Sequence, residues 1–155
     1  MELFLEDFDL SSLLREVMES FTHAAAEKGL RLSLATPEKL RVRSDERRIK
    51  QVLNNLMSNA VKFTEHGGIE TRVVDGEDRI TITVRDTGIG IKEEDQRDLF
   101  KAFNKITCEG IPGQEGTGLG LYLSRKIANL LSGELQAESE FGKGSLFAFV
   151  FPKVP

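Results

Sequence analysis

QVLNNLMSNAVKFT, residues Gln51 to Thr64, has the apolar rhythm of a helix and yet places asparagine at three positions. Asparagine is a poor helix former, because its side chain competes for nearby backbone groups. Ile49, Val52, Leu53, Leu56, Ala60 and Phe63 follow the three-and-four spacing of a core-facing stripe. At about 100° per residue, Asn55 and Asn59 lie one above the other on a flanking stripe, with Arg48 and Lys62 nearby. Two amide oxygens and two cations beside the rim of a core fit either a solvated edge or a surface facing a charged ligand.

Outward from that helix the chain reads as a mixed α/β succession. Asp9 to Lys28 repeats Leu10, Leu13, Leu14, Val17, Phe21 and Ala24, an amphipathic helix stopped by Gly29. Leu30, Leu32 and Leu34 alternate with polar residues, as in a half-buried strand. A short strand around Leu40 to Arg43 leads to Ser44 and Asp45, which suit the N-cap of the asparagine-rich helix. His66-Gly67-Gly68 breaks that helix. Ile69 to Val74 and Arg79 to Arg85 then form a hairpin around an Asp-Gly turn. A short helix from Lys92 to Phe100 precedes a loop, and Gly118 to Ser132 is helical again. Leu135 to Ser139 and Ser145 to Phe151 make a last strand pair. The run LFAFVF is apolar on both faces, which predicts a central strand covered on each side.

Composition narrows the function classes. A chain of 155 residues fits one domain, 1–155, with room for a real core. The net charge of −4, with Lys and Arg dispersed, leaves no basic footprint for nucleic acid. No apolar run approaches the roughly 18 residues of a membrane span, and no signal-peptide pattern opens the chain. The lone Cys108 excludes an internal disulfide framework and any CxxC metal site, so a reducing, cytoplasmic setting is expected.

Three places carry chemistry. On the asparagine stripe, an amide oxygen is a neutral hard ligand, suited to a Mg²⁺ that keeps its waters and takes charge balance from phosphates. Lys62, one turn on from Asn59, can meet a phosphate as a point charge. The second place is Asp86-Thr87-Gly88-Ile89-Gly90, directly after a strand. A carboxylate there can accept from the exocyclic amino group of adenine and would repel the carbonyl of guanine, while Gly88 and Gly90 permit close backbone approach. The third is Gly116-Thr117-Gly118-Leu119-Gly120-Leu121, where free N–H groups and the helix dipole favour an anion. A Rossmann reading fails because the third glycine of GxGxxG would fall at Leu121 and no strand precedes it. No Walker A frame exists either. Asn104 to Glu115 lacks any period and has the length of a lid over a site. Each place also fits an ordinary polar edge, turn or cap, but a Mg²⁺-type helix, an adenine-type carboxylate, a lid and an anion-binding helix start converge on Mg-ATP.

At these residues the sequence resembles the catalytic ATP-binding domain of bacterial two-component sensor histidine kinases, in the superfamily shared with gyrase B, Hsp90 and MutL. QVLNNLMSNAVKFT resembles the N box, DTGIGI (Asp86–Ile91) the G1 box, LFKAFNK (Leu99–Lys105) the F box and GTGLGL (Gly116–Leu121) the G2 box. GKGSLFAFVFP resembles the closing Gly-x-Gly-Ser strand, and FDLSSLL the lead-in from a phosphoacceptor hairpin. The resemblance implies the Bergerat fold, an α+β two-layer sandwich of mixed sheet and helices with an ATP lid. It implies Asn59 as the Mg²⁺ ligand, Asn55 beside it, Lys62 and Phe63 near the nucleotide and Asp86 on adenine. Gly88, Gly90, Gly116, Thr117, Gly118, Leu119, Gly120 and Leu121 follow as nucleotide-binding positions.

Gyrase-like members carry a water-activating Glu one turn before the metal-binding Asn. Here that position is Asn55, which cannot be a general base, so the site is expected to hold ATP as a phosphoryl donor. Where the family continues Phe-aromatic-Arg, this chain reads Phe103-Asn104-Lys105, leaving Lys105 to meet the γ-phosphate without the bidentate geometry of Arg. His23 and His66 lack the acceptor pattern of His, acidic residue and downstream Pro. The acceptor is therefore expected on a separate helical hairpin of the parent kinase, with residues 1–8 its residual lead-in. By the same resemblance a response-regulator receiver domain is an indirect partner, the parent a homodimer and this piece a monomer. Two other classes fit the same boxes: an anti-sigma-type serine kinase, and a non-catalytic nucleotide-binding docking module.

Overall fold

The structure, a computed structural model, describes residues 2–101 and 119–155. Its main sheet contains β2 (Arg31–Ala35), β4 (Gly68–Asp75), β5 (Arg79–Asp86), β7 (Gly144–Pro152) and β6 (Glu134–Glu140), in that spatial order. β2 runs parallel to β4, and the other pairs are antiparallel. The helices α1 (Leu10–Glu27), α2 (Glu46–Phe63) and α4 (Gly120–Leu130) cover one face, and a four-residue α3 (Glu93–Gln96) follows β5. This is the two-layer α+β arrangement of the Bergerat fold.

Alternation along each strand sorts the sheet into rows on the face toward the helices. Val73, Ile82, Phe149 and Leu135 make one row, and Thr71, Val84, Phe147 and Ala137 the next. Phe149 and Phe151 stack with ring centroids 5.0 Å apart. Against these rows α2 lays down Ile49, Val52, Leu53, Leu56, Met57 and Ala60, all buried. The last row, Ile69, Asp86, Ser145 and Ser139, turns polar. There the core ends and the site begins.

Caps set the helix limits. Asp9 accepts from the N–H groups of Ser11 (3.1 Å) and Leu40 (2.9 Å), and these bonds, the one from Leu40 foremost, lower its carboxyl's affinity for a proton. Asp45 caps α2, accepting from Arg48 N–H at 3.1 Å while its second oxygen takes Phe4 N–H at 2.9 Å. At the far end, Lys28 Nζ donates to the carbonyls of Val61 (2.8 Å) and Lys62 (3.2 Å), satisfying the last turn of α2.

Three sequence expectations need correction. The run LFAFVF is the interior strand β7, between β5 and β6, but only Phe147, Phe149 and Phe151 are buried; Leu146, Ala148 and Val150 stay half-exposed because no helix among the described residues packs on the second face. The helix expected over residues 92–100 keeps helical form only at Glu93–Gln96, with Lys92 as its N-cap. An unexpected strand, β1 (Glu6–Asp9), pairs with β3 (Arg41–Ser44) in a separate antiparallel ribbon, held through buried Phe8 and Val42. Arg43 N–H donates to the carbonyl of Lys153, which ties that ribbon to the end of β7.

Candidate nucleotide site

Asn59, Phe63, Asp86, Gly90, Ile91, Ser145 and Phe147 line one cleft between the C-terminal half of α2 and the polar end of the sheet. Two wider grooves open at the sheet's margin, around Arg85 and Thr87, but neither collects the amides of α2.

Asp86 is the last residue of β5 and is buried, 7% exposed. Its Oδ1 accepts from Gly88 N–H at 2.9 Å and Ser145 N–H at 3.3 Å. Its Oδ2 has no hydrogen-bond partner among the described residues. Burial pushes this carboxyl above its ordinary range, and the two N–H bonds oppose the shift without cancelling it. The arrangement leaves one oxygen of a buried carboxylate without a hydrogen bond from the described residues, at a residue that lines the cleft.

The loop after β5 is clamped from three sides. Ile89 N–H donates to the Phe63 carbonyl at 3.1 Å, tying the loop to the end of α2, and Gly142 N–H donates to the Ile89 carbonyl. Ile91 N–H donates to Ser139 Oγ at 2.7 Å, and Gln96 Nε2 bridges the carbonyls of Ile91 (2.8 Å) and Ser139 (3.0 Å). Gly88 and Gly90 are required by geometry. A Cβ on Gly88 would sit 2.4 Å from the Phe63 carbonyl; Gly90 has φ +73°, and its Cβ would meet the Glu140 carbonyl at 2.1 Å.

On α2, Asn59 lines the cleft half-buried, and its amide has no partner among the described residues. Phe63, which the apolar period assigns to the core, is half-buried and turns its ring into the cleft wall. Lys62 Nζ lies 6.0 Å from that ring's centroid and has no carboxylate partner among the described residues. Asn55 is committed differently: its Nδ2 donates to the Gly120 carbonyl (3.2 Å) and to Ser124 Oγ (3.0 Å), which pins the start of α4 to α2. Because a carbonyl only accepts, this fixes Nδ2 as the end of the amide bonded to α4.

Leu119, Gly120 and Leu121 open α4, with Leu119, whose side chain carries no capping atom, at the N-cap position. Lys105, Gly116, Thr117 and Gly118, like Cys108 and the expected lid, lie outside the described residues. His23 is 88% exposed and sits 2.9 Å from Glu27, an ordinary surface pair. Sequence reasoning missed Ser139, Ser145 and Gln96 as site-shaping residues. The available signal was a serine at an inward position of each of two strands whose other inward positions are apolar.

The residues fit a nucleotide. Phe63, Ile91 and Phe147 offer flat apolar walls, and the unpaired carboxylate oxygen meets a polar edge. Among the described residues no three of His, Cys, Asp and Glu cluster, so a divalent ion here would have to complete its shell with ligand oxygens and water.

A family model described as "Histidine kinase-, DNA gyrase B-, and HSP90-like ATPase" matches residues 44–155. Hybrid signal transduction histidine kinase B of Dictyostelium discoideum is 38% identical over 98% of the chain, which covers 8% of that protein. BarA of Escherichia coli K12 is 38% identical over 96% of the chain and 17% of its own length. MtrB of Mycolicibacterium paratuberculosis is 34% identical over 99% of the chain and 27% of its own length. The chain thus spans about a quarter or less of these relatives. Among solved structures, the nucleotide-free catalytic domain of histidine kinase ThkA is similar over the full length of both chains, with TM-score 0.84 and 34% identity. Full-length ShkA, in complex with AMPPNP, matches 98% of this chain and 32% of its own, with TM-score 0.83 and 32% identity. With the N and G1 boxes lining one cleft and relatives matching along nearly the whole chain, the chain belongs to the histidine kinase-, gyrase B- and HSP90-like ATPase family, as an ATP-binding catalytic domain of the histidine kinase kind.

Proposed function

We propose that this domain holds Mg-ATP in the cleft between α2 and the polar row of the sheet and donates the γ-phosphoryl group to a histidine on a separate hairpin of the parent kinase. The observation that carries the reading is the buried Asp86, with Oδ1 saturated by backbone N–H groups and Oδ2 unpaired in a cleft shared with Asn59. Asp86 Oδ2 takes the adenine amino group, and Phe63, Ile91 and Phe147 hold the ring. Asn59 Oδ1 would hold a Mg²⁺, with Asn55 beside it, and Lys62 would meet a phosphate. Lys105 and the segment Gly116 to Leu121 complete the phosphate end.

A bound Mg²⁺ would supply charge neutralisation to the phosphates. This chain's own residues orient the nucleotide, and Asn55, a neutral amide bonded to α4, takes no proton from water. Phosphoryl transfer depends mainly on positioning and electrostatic stabilisation, so the nucleophile comes from the partner hairpin. The same reading places the domain on the cytoplasmic side of whatever anchors the parent; among the described residues no helix is long and apolar enough to cross a membrane.

The test is incubation of this chain with labelled ATP and the parent's histidine-bearing hairpin at high concentration. Acid-labile phosphohistidine on the hairpin is expected. ATP binding without transfer to any supplied hairpin selects the docking-module reading. Acid-stable phosphate on a serine of a protein substrate selects the serine-kinase reading.

A further inference from the structure

Asp86, Ser145 and Ser139 stand side by side across β5, β7 and β6 on the face toward the helices. We infer that Ser139 is a positioning residue that locks the Ser145 hydroxyl as a hydrogen-bond acceptor toward the cleft, so that Asp86 Oδ2 and Ser145 Oγ stand as two acceptors at the base-binding end. The proposal rests on the nucleotide reading above and deepens it.

The argument counts protons. A serine hydroxyl has one hydrogen and two lone pairs. Ser139 Oγ has three neighbours: Ile91 N–H at 2.7 Å, the Gly144 carbonyl at 2.9 Å and Ser145 Oγ at 2.8 Å. Ile91 N–H can only donate, so it occupies a lone pair of Ser139. The Gly144 carbonyl can only accept, so it takes the Ser139 hydrogen. Ser145 must then donate its own hydrogen to Ser139, and its Oγ presents only lone pairs to whatever enters the cleft that it lines. Asp86 Oδ1 is likewise filled by Gly88 and Ser145 N–H groups. An exocyclic amino group carries two hydrogens and matches two adjacent acceptors; a carbonyl at the same ring position meets lone pairs from both.

Ser139 itself does not line that cleft. Its influence on the base runs through Ser145, and a purely structural role would leave base selectivity untouched. Without Ser139, the Ser145 hydroxyl turns freely and can donate to a carbonyl.

The experiment compares ATP with inosine triphosphate, which exchanges the amino group for a carbonyl, by titration calorimetry on the whole chain. Wild type is expected to prefer ATP. Ser139→Ala should lower the ATP-to-ITP affinity ratio by about 3- to 10-fold, the worth of one neutral hydrogen bond, and Ser139→Thr should restore it. Should Ser139→Ala not fold, Ser145→Ala serves, since it keeps Ser139 bonded to Ile91 and Gly144 and should lower the same ratio. In a Ser145→Ala background, Ser139→Ala should move the ratio no further. A folded Ser139→Ala with the wild-type ratio overturns the inference and leaves the nucleotide reading standing. Wild type that binds neither triphosphate overturns both.

Discussion

Two side chains pay for binding with stability, and each can be tested alone. Burial raises the Asp86 carboxyl above the ordinary value of 3.8. The folded chain therefore keeps a proton that the unfolded chain releases, and stability attributable to Asp86 is fullest below that pH and falls as pH climbs through the raised value. At neutral pH a buried charge with an unpaired oxygen is a cost to the empty fold. Asp86→Asn can keep an Oδ1 acceptor for Gly88 and Ser145, so it should raise the Tm of the nucleotide-free protein at pH 7, with the gain shrinking toward pH 4 in thermal melts. The same variant turns an NH₂ toward the adenine amino group and should weaken ATP roughly 10- to 150-fold, about 1.5–3 kcal/mol. Unchanged ATP affinity in calorimetry would remove Asp86 from the site. Asn59→Ala trades a poor helix former for a good one, so circular dichroism should show α2 intact. Its ATP affinity should respond far less to added Mg²⁺ than that of wild type; an equal response would refute the ligand assignment. Asp86, Gly88, Gly90 and Asn59 were legible as candidates from their chemistry and order, and Phe63 from the family resemblance. Ser139 and Ser145 were not, because a hydroxyl's role depends on which neighbours use its single hydrogen.

Elements show the same division. α1, α2 and the β4–β5 hairpin could be read from apolar period, caps and an Asp-Gly turn, since these signals are local. β1 could not, because Glu6–Asp9 contains a single apolar residue and becomes a strand only by pairing with β3, some 35 positions along the chain. Capping links the two scales. Asp45 is 3% exposed and uses both oxygens, one on α2 and one on Phe4 N–H. Asp45→Ala should cost about 1–2 kcal/mol, a fall in Tm of roughly 2–8 °C for a chain of this size. Asn55 lies about 15 Å further along the helix. ATP affinity of the folded variant should therefore stay within about twofold of wild type, and a larger loss in calorimetry would show that the cap and the site are coupled.

At the scale of the whole molecule, what this chain does not do is as informative as what it binds. His23 and His66 are exposed without an acceptor pattern, and Asn55 stands where a water-activating carboxylate would be needed. Incubated alone with labelled ATP, the chain should incorporate almost no phosphate and hydrolyse ATP slowly; rapid steady hydrolysis would place it with the ATPases and refute the argument from Asn55. A mixed α/β order, apart from β1 and the length of α3, and an ATP-type ligand could be read from periodicity, turn residues and residue chemistry, because these signals are carried in short windows; the Bergerat fold and the family followed from the resemblance of the motifs. Tertiary structure alone decided three things. It placed α1, α2 and α4 on one face, leaving Leu146, Ala148 and Val150 half-exposed where their apolar run predicted cover. It committed the Asn55 amide to α4, 65 residues away. And it set Asp86, Ser145 and Ser139 in one row, because strand register, on which cross-sheet neighbours depend, is settled by packing and turns rather than by any single strand's sequence.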